Sequence, residues 1–301
     1  MSMSDEFKKI KFMRKQNFAK LLVSEKLFDT EIKNRLDSVP EPFHTYLKKV
    51  KKWEAVHPEA DPSLFRPPRG VIGAISKVKS KMMQLKIGGL KEEHGFTSGV
   101  KFNLGTVIQA VASGRGLTSR SRPFIRLKSD ITHSVTLLID FSSSMKSIFD
   151  KVRESVYIFA EVMNGLRLPF ALYGYSEKFW VIKDFIDIWN NETKSRFYSL
   201  EPIGISPAGL AIDVAGGITQ KVSEKGKIMF VITDGAFDDR KQVKLSVESV
   251  KKNNIIIVGI SVRFPIKDVF PISIVETENL NEIWMRDNFM RLYSRVFRSD
   301  Y

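Results

Sequence analysis

The stretch Ser134-Val135-Thr136-Leu137-Leu138-Ile139-Asp140, continued by Phe141-Ser142-Ser143-Ser144-Met145, decides how this chain folds. Its first half is an almost unbroken apolar run, as expected of a strand buried on both faces of a sheet, and it ends abruptly on a carboxylate. A second run of the same kind, Ile228-Met229-Phe230-Val231-Ile232-Thr233-Asp234, ends in the same way. Further strands are read at Phe170–Tyr175, Phe179–Ile182 and Ile255–Ser261. Helical periodicity is read at Met145–Leu166, after Ser206, at Arg240–Lys252 and at Leu280–Phe297. Strands that are apolar on both faces and alternate with helices predict an α/β fold, a doubly wound and mostly parallel sheet with helices on both sides.

In such a sheet, ligands bind beyond the carboxyl ends of the strands, where strand order reverses. If the strands ending in Asp140 and Asp234 flank that point, two carboxylates share one crevice. Two carboxylates at close range repel, which raises a pKa or calls for a cation. The hydroxyls of Ser142 and Ser144 come next at alternate positions. An oxygen-only donor set suits a hard ion, magnesium or manganese. Each residue taken singly has an ordinary explanation: Ser144 as a helix N-cap, Ser142 as a turn residue, a strand-terminal Asp as a structural group. The combination is what points to a metal.

Three ordered segments strengthen it. Asp140-Phe-Ser142-Ser-Ser144 is similar to the Asp-x-Ser-x-Ser motif of von Willebrand factor A (VWA) domains, which opens their metal-ion-dependent adhesion site. Ser206-Pro207-Ala208-Gly209-Leu210-Ala211-Ile212 resembles the family's Thr-Pro-x-Gly-x-Ala-Leu, with serine in place of threonine. Thr233-Asp234-Gly235 matches the third motif. The resemblance implies that Ser142 and Ser144 ligate an ion directly, that Ser206 stands in the threonine position, and that Asp140 and Asp234 act directly or through water. It also implies an open coordination position that a partner's carboxylate completes. The Ser-for-Thr change keeps the hydroxyl and loses the methyl that stiffens its rotamer.

The flanks resemble one branch. Ser98-Gly-Val-Lys-Phe-Asn-Leu104, Ile108 to Gly114, Pro123-Phe124 and the run into Asp140 look like the approach to the A domain in CobT-type cobaltochelatase subunits. Asp234-Gly-Ala-Phe-Asp-Asp239 resembles the third motif of those subunits with its acidic extension, and Val258-Gly-Ile-Ser-Val-Arg-Phe-Pro265 resembles their final strand and its exit. The likeness covers roughly residues 98–297, while the acidic linker and large N-terminal domain of those subunits are missing. It implies an adaptor working beside a MoxR- or CobS-type AAA+ ATPase.

Composition narrows the function classes. The chain has 301 residues, 43% hydrophobic and 27% charged, as in soluble globular proteins. With no cysteine, a disulfide framework and a thiolate metal site are excluded. The first residues lack the apolar run of a signal peptide and the longest apolar runs are too short for a bilayer, so a cytoplasmic location is expected. The net charge of +14 is uneven: residues 1–130 hold 26 Lys and Arg against 13 Asp and Glu. The organisation expected is a basic, helix-rich region over 1–97, with helices at 5–38, Pro42–Val56 and Val71–Lys86, then a basic connector over 98–133 that packs on the core and carries a helix at Leu104–Ala112, then the A domain over 134–301. A solvated basic face is the ordinary explanation of the charge. The competing one is a nucleic-acid contact through Arg115, Arg120, Arg122, Arg126 and Lys128, with Phe124 among them.

Catalysis by the chain itself is not expected. There is no Gly-x-x-x-x-Gly-Lys-Ser/Thr loop. Gly204-Ile-Ser206-Pro-Ala208 approaches a nucleophile elbow, but Ala208 breaks it, and all four histidines precede the serine. A haloacid-dehalogenase phosphatase would need a second Asp where Ser142 stands.

Overall fold

The computed structural model describes residues 53–63, 65–68, 70–87, 90–99, 101–114, 116–118, 121–129, 133–224 and 226–275. The helices expected at 5–38 and 280–297, and most of that at 42–56, lie outside these residues. The chain divides into two compact units, with residues 77–132 forming the smaller one.

The larger unit is a seven-stranded sheet in the order β1-β7-β6-β5-β8-β9-β10. Its strands are β1 (Ala55–Val56), β5 (His133–Asp140), β6 (Phe170–Tyr175), β7 (Phe179–Lys183), β8 (Gly226–Thr233), β9 (Ile256–Ser261) and β10 (Ile272–Val275). All neighbours are parallel except β6 and β7, which form a hairpin. The doubly wound, mostly parallel sheet read from the apolar runs is therefore what forms. From Val135 to Asp140 every residue of β5 is buried, as its unbroken apolar character requires.

Among the described residues, four helices cover this sheet: α3 (Phe149–Gly165), α4 (Asn191–Ser199), α5 (Ala208–Gln220) and α6 (Arg240–Lys252). A 3-10 turn at Ser143–Met145 precedes α3, so the helix begins later than the expected Met145. On one side the core joins Leu138, Tyr173, Tyr175 and Phe179 to Ala211, Val214 and Ala215 of α5 and Val247 of α6. Buried Thr136 and Thr219 share a hydrogen bond of 2.7 Å that ties β5 to α5.

The helix expected up to Val56 ends differently. Ala55 and Val56 pair with Phe179 and Trp180 as an edge strand, and the indole of Trp53 donates to the Ser176 carbonyl at 3.0 Å. Trp53 also packs edge-on to Phe179 at 5.7 Å. Long-range pairing has overridden local helical periodicity here. The polar α4, anchored by an Asn190–Thr193 capping box, carries no apolar period and is not among the expected helices.

The smaller unit contains a three-stranded antiparallel sheet, β2-β4-β3, built from β2 (Leu90–Phe96), β3 (Lys101–Phe102) and β4 (Phe124–Ser129). Helix α2 (Leu104–Ala112) comes directly after β3, capped by Asn103, and buries none of its residues. Residues 98–133, read as a connector, thus carry strands of their own. Helix α1 (Val71–Ile87) runs from the larger unit into the smaller. Among the described residues, no helix is long and apolar enough to cross a membrane.

Candidate metal site

Chain connections leave β5 for β6 on one side and return to β8 on the other, so the sheet's switch point lies between β5 and β8. Their register sets Ile139 opposite Ile232, which brings Asp140 and the Thr233-Asp234 pair to the same edge. Helix α5 starts just after Ser206-Pro207 at this edge. All five residues read as metal ligands therefore gather there: Asp140, Ser142, Ser206 and Asp234 buried, Ser144 exposed.

The hydrogen bonds show how the donors are held. Asp140 Oδ1 accepts from the Ser142 amide at 2.8 Å, the turn that ends β5. Asp140 Oδ2 accepts from the hydroxyls of Ser206 at 3.1 Å and Thr233 at 3.0 Å. The hydroxyls of Ser142 and Ser144 lie 3.0 Å apart. Asp234 Oδ1 closes its own turn by accepting from the Ala236 amide at 2.9 Å. Its Oδ2 is buried and has no hydrogen-bond partner.

Two loops frame the mouth. The Ile203 amide donates to the Phe141 carbonyl at 2.7 Å, and the Ser143 amide to the Gly204 carbonyl at 3.1 Å. The Gly204 amide in turn donates to Ser143 Oγ at 2.9 Å. On the opposite side the Phe264 amide donates to the Asp234 carbonyl at 2.8 Å. Ile203, Ile205 and Phe264 on these loops are exposed.

Burial is the main reason the Asp140 carboxyl is pushed up to about 6; hydrogen bonds from Ser142 pull it down, and the Asp234 charge adds to the rise. A buried carboxylate oxygen without a donor, beside a second carboxylate, is an arrangement that a cation would relieve. The donor set of two carboxylates and three serine hydroxyls fits a hard divalent ion. The residues present therefore fit the ion that the sequence motifs imply.

Two further residues of this crevice are not among the expected ligands. Thr233 is legible in the sequence only as part of a motif, yet its hydroxyl bridges Asp140 and the Gly235 amide. Tyr175, at the end of β6, is the register partner of Asp140. Burial, and next the Asp140 carboxylate, hold its phenol well above the usual tyrosine value. The signal in the sequence is a polar-tipped residue closing an apolar strand, but only the strand order shows that this strand lies beside Asp140.

The expected nucleic-acid contacts belong to the smaller unit. Arg126 stacks over Phe96 at 4.4 Å and bonds the Ser98 carbonyl and hydroxyl at 2.9 and 3.0 Å, so local structure already engages it. Arg122 is exposed and Lys128 lies in β4. Arg115 and Arg120 fall outside the described residues.

Strand order, the β6–β7 hairpin and the helices on both faces define a VWA-type α/β fold. No protein-family profile matches the chain. It is 26% identical over 150 residues to an uncharacterized protein of Pseudomonas aeruginosa, covering 46% of this chain and 24% of that one. It is 28% identical over 116 residues to Protein NorD of Stutzerimonas stutzeri, covering 34% of this chain and 19% of that one. The chain thus spans about a quarter or less of the length of these curated relatives. Among solved structures it is similar to the SpRpn10 VWA domain (17% identity, TM-score 0.44, 55% of this chain and 96% of that one). It is also similar to a von Willebrand factor type A protein from Catenulispora acidiphila (14% identity, TM-score 0.39, 57% of this chain and 44% of that one).

Proposed function

We propose that this chain is a metal-dependent protein-interaction adaptor without catalysis of its own. Asp140, Ser142, Ser144, Ser206 and Asp234 would hold one magnesium or manganese ion. The ion would supply a Lewis-acidic position that a partner's carboxylate fills. The observation that carries this reading is the buried, unpartnered Oδ2 of Asp234, set at the sheet's switch point beside Asp140 and the serine hydroxyls. The exposed Ile203, Ile205 and Phe264 on the framing loops support a protein partner, since apolar side chains flanking the mouth would pack beside the incoming acidic residue.

The resemblance of residues 98–297 to the CobT-type branch supports an AAA+ ATPase of MoxR or CobS type as the partner, in protein remodelling or metal-cofactor maturation. Absence of cysteine is in keeping with a cytoplasmic setting. A pull-down with the purified chain, with magnesium and again with EDTA, tests the reading. Partners bearing the acidic contact are expected only in the first. Asp140→Ala is expected to abolish both this capture and magnesium binding by isothermal titration, with the circular dichroism of the fold retained. Unchanged ion affinity in that variant would remove Asp140 from the site.

A further inference from the structure

Tyr173 and Tyr175 alternate along β6 toward the same side of the sheet, and both are completely buried. Their hydroxyls fare differently. Tyr173 donates to Asp184 Oδ1 at 2.6 Å. The Tyr175 hydroxyl lies within reach of Asp140, Thr233 and Ser206, yet meets none of them in the geometry of a formed hydrogen bond. The reason lies in what surrounds it. Asp140 Oδ2 already receives two hydroxyls, from Ser206 and Thr233, and Oδ1 receives the Ser142 amide. A carboxylate oxygen has two good acceptor directions, and both on Oδ2 are taken.

A buried, unmade hydrogen bond is expensive, and a phenylalanine would fill the same volume without it. The crevice therefore holds two buried orphans, the phenol of Tyr175 and Oδ2 of Asp234, at the ends of the two strands that flank β5. One is a donor lacking an acceptor; the other is an acceptor lacking a cation. A divalent ion held by the Ser206 hydroxyl would compete for a group that now occupies Asp140 Oδ2, and an acceptor direction freed there would be available to Tyr175.

We propose that Tyr175 is a positioning residue of this site, whose phenol hydrogen-bonds to Asp140 only in the ion-loaded state and so favours loading. The inference rests on the metal site proposed for this chain. It makes the strand β6, which supplies none of the ligands, part of the ion's affinity. The device is thermodynamic: a donor left unsatisfied in the ion-free state is satisfied in the loaded one, and the difference appears as binding.

The test uses the full chain and its Tyr175→Phe variant, titrated with MgCl2 and MnCl2 by calorimetry and melted in EDTA. The variant is expected to bind each ion about three- to tenfold more weakly while melting in EDTA at the same or a higher temperature. Loss of a merely structural hydrogen bond would lower that melting temperature instead, and such a result overturns the proposal. Fluorotyrosine labelling supplies a readout independent of the variant's folding. Of the seven tyrosine resonances, one is expected to move on adding MgCl2 and to be missing in Tyr175→Phe. If the wild-type chain binds ions but the variant binds equally well and no tyrosine resonance moves, Tyr175 has no part in loading and the metal reading stands. If the wild-type chain binds neither ion, both fall together.

Discussion

At the scale of the residue, Asp140 sets the chemistry because it is a charge with almost no water. Burial raises its carboxyl to about 6, above the ordinary carboxylate value. A folded-state pKa that is raised contributes stability that is fully present below the unfolded value and lost as pH rises through the folded one. In EDTA, the melting temperature is therefore expected to fall between about pH 4 and pH 7 through this group, by an amount worth a few kcal/mol of stability. Asp140→Asn is expected to flatten that window, and thermal melts of both proteins across it provide the check. With an ion the sign reverses, since proton and cation compete for the same oxygens. Magnesium affinity is expected to drop about tenfold for each pH unit below 6, measured by calorimetry. The same burial explains why Asp140 collects three donors: an unsolvated carboxylate must be hydrogen-bonded or neutralised.

At the scale of the element, the site is made by the ends of strands and the turns leaving them. β5 and β8 are held in register along seven residue pairs, which fixes the spacing of their terminal residues far better than any loop would. The turn after β8 depends on Gly235, whose φ of +85° is a left-handed conformation. A Cβ there would also lie 2.6 Å from the Phe264 carbonyl oxygen and 2.7 Å from Ser261 Oγ. Gly235→Ala is therefore expected to cost about 1–3 kcal/mol and, by displacing Asp234, to weaken ion binding. Chemical denaturation and calorimetry read the two effects separately. Gly204 has a similar φ of +81°, but a Cβ there meets only the Glu177 side chain, which can swing aside. Its substitution is expected to be the milder of the two in the same measurements.

At the scale of the whole molecule, charge is segregated along the chain. Residues 1–130 carry twice as many basic as acidic side chains, while the remainder holds 22 against 21. In an adaptor, this basic part serves protein contacts or solubility. The double variant Arg120→Glu with Arg122→Glu is then expected to leave magnesium-dependent capture unchanged. Fluorescence anisotropy with DNA and RNA at physiological salt provides the contrast. Micromolar affinity lost in the double variant would give the basic region a nucleic-acid partner instead. The engagement of Arg126 by Phe96 and Ser98 already removes one of the five proposed phosphate contacts from easy reach.

By itself the sequence determined the parallel sheet and most of its helices, because apolar periodicity is a local property, while its resemblance to the VWA motifs implied that Asp140, Ser142, Ser144, Ser206 and Asp234 share one site. Short apolar runs that alternate with helical segments read as buried strands, and the residues ending two such strands share a crevice only where the strands flank the switch point, as β5 and β8 do. Three things needed the tertiary structure. Ala55-Val56 became a strand because Trp53 and the β7 edge drew it there against its helical surroundings. Segments 90–96 and 124–129 became a separate sheet through pairing between residues some thirty positions apart, which no local pattern encodes. And Tyr175 entered the site because β6 happens to be the neighbour of β5, a fact of strand order that turns an ordinary buried tyrosine into a donor waiting beside Asp140.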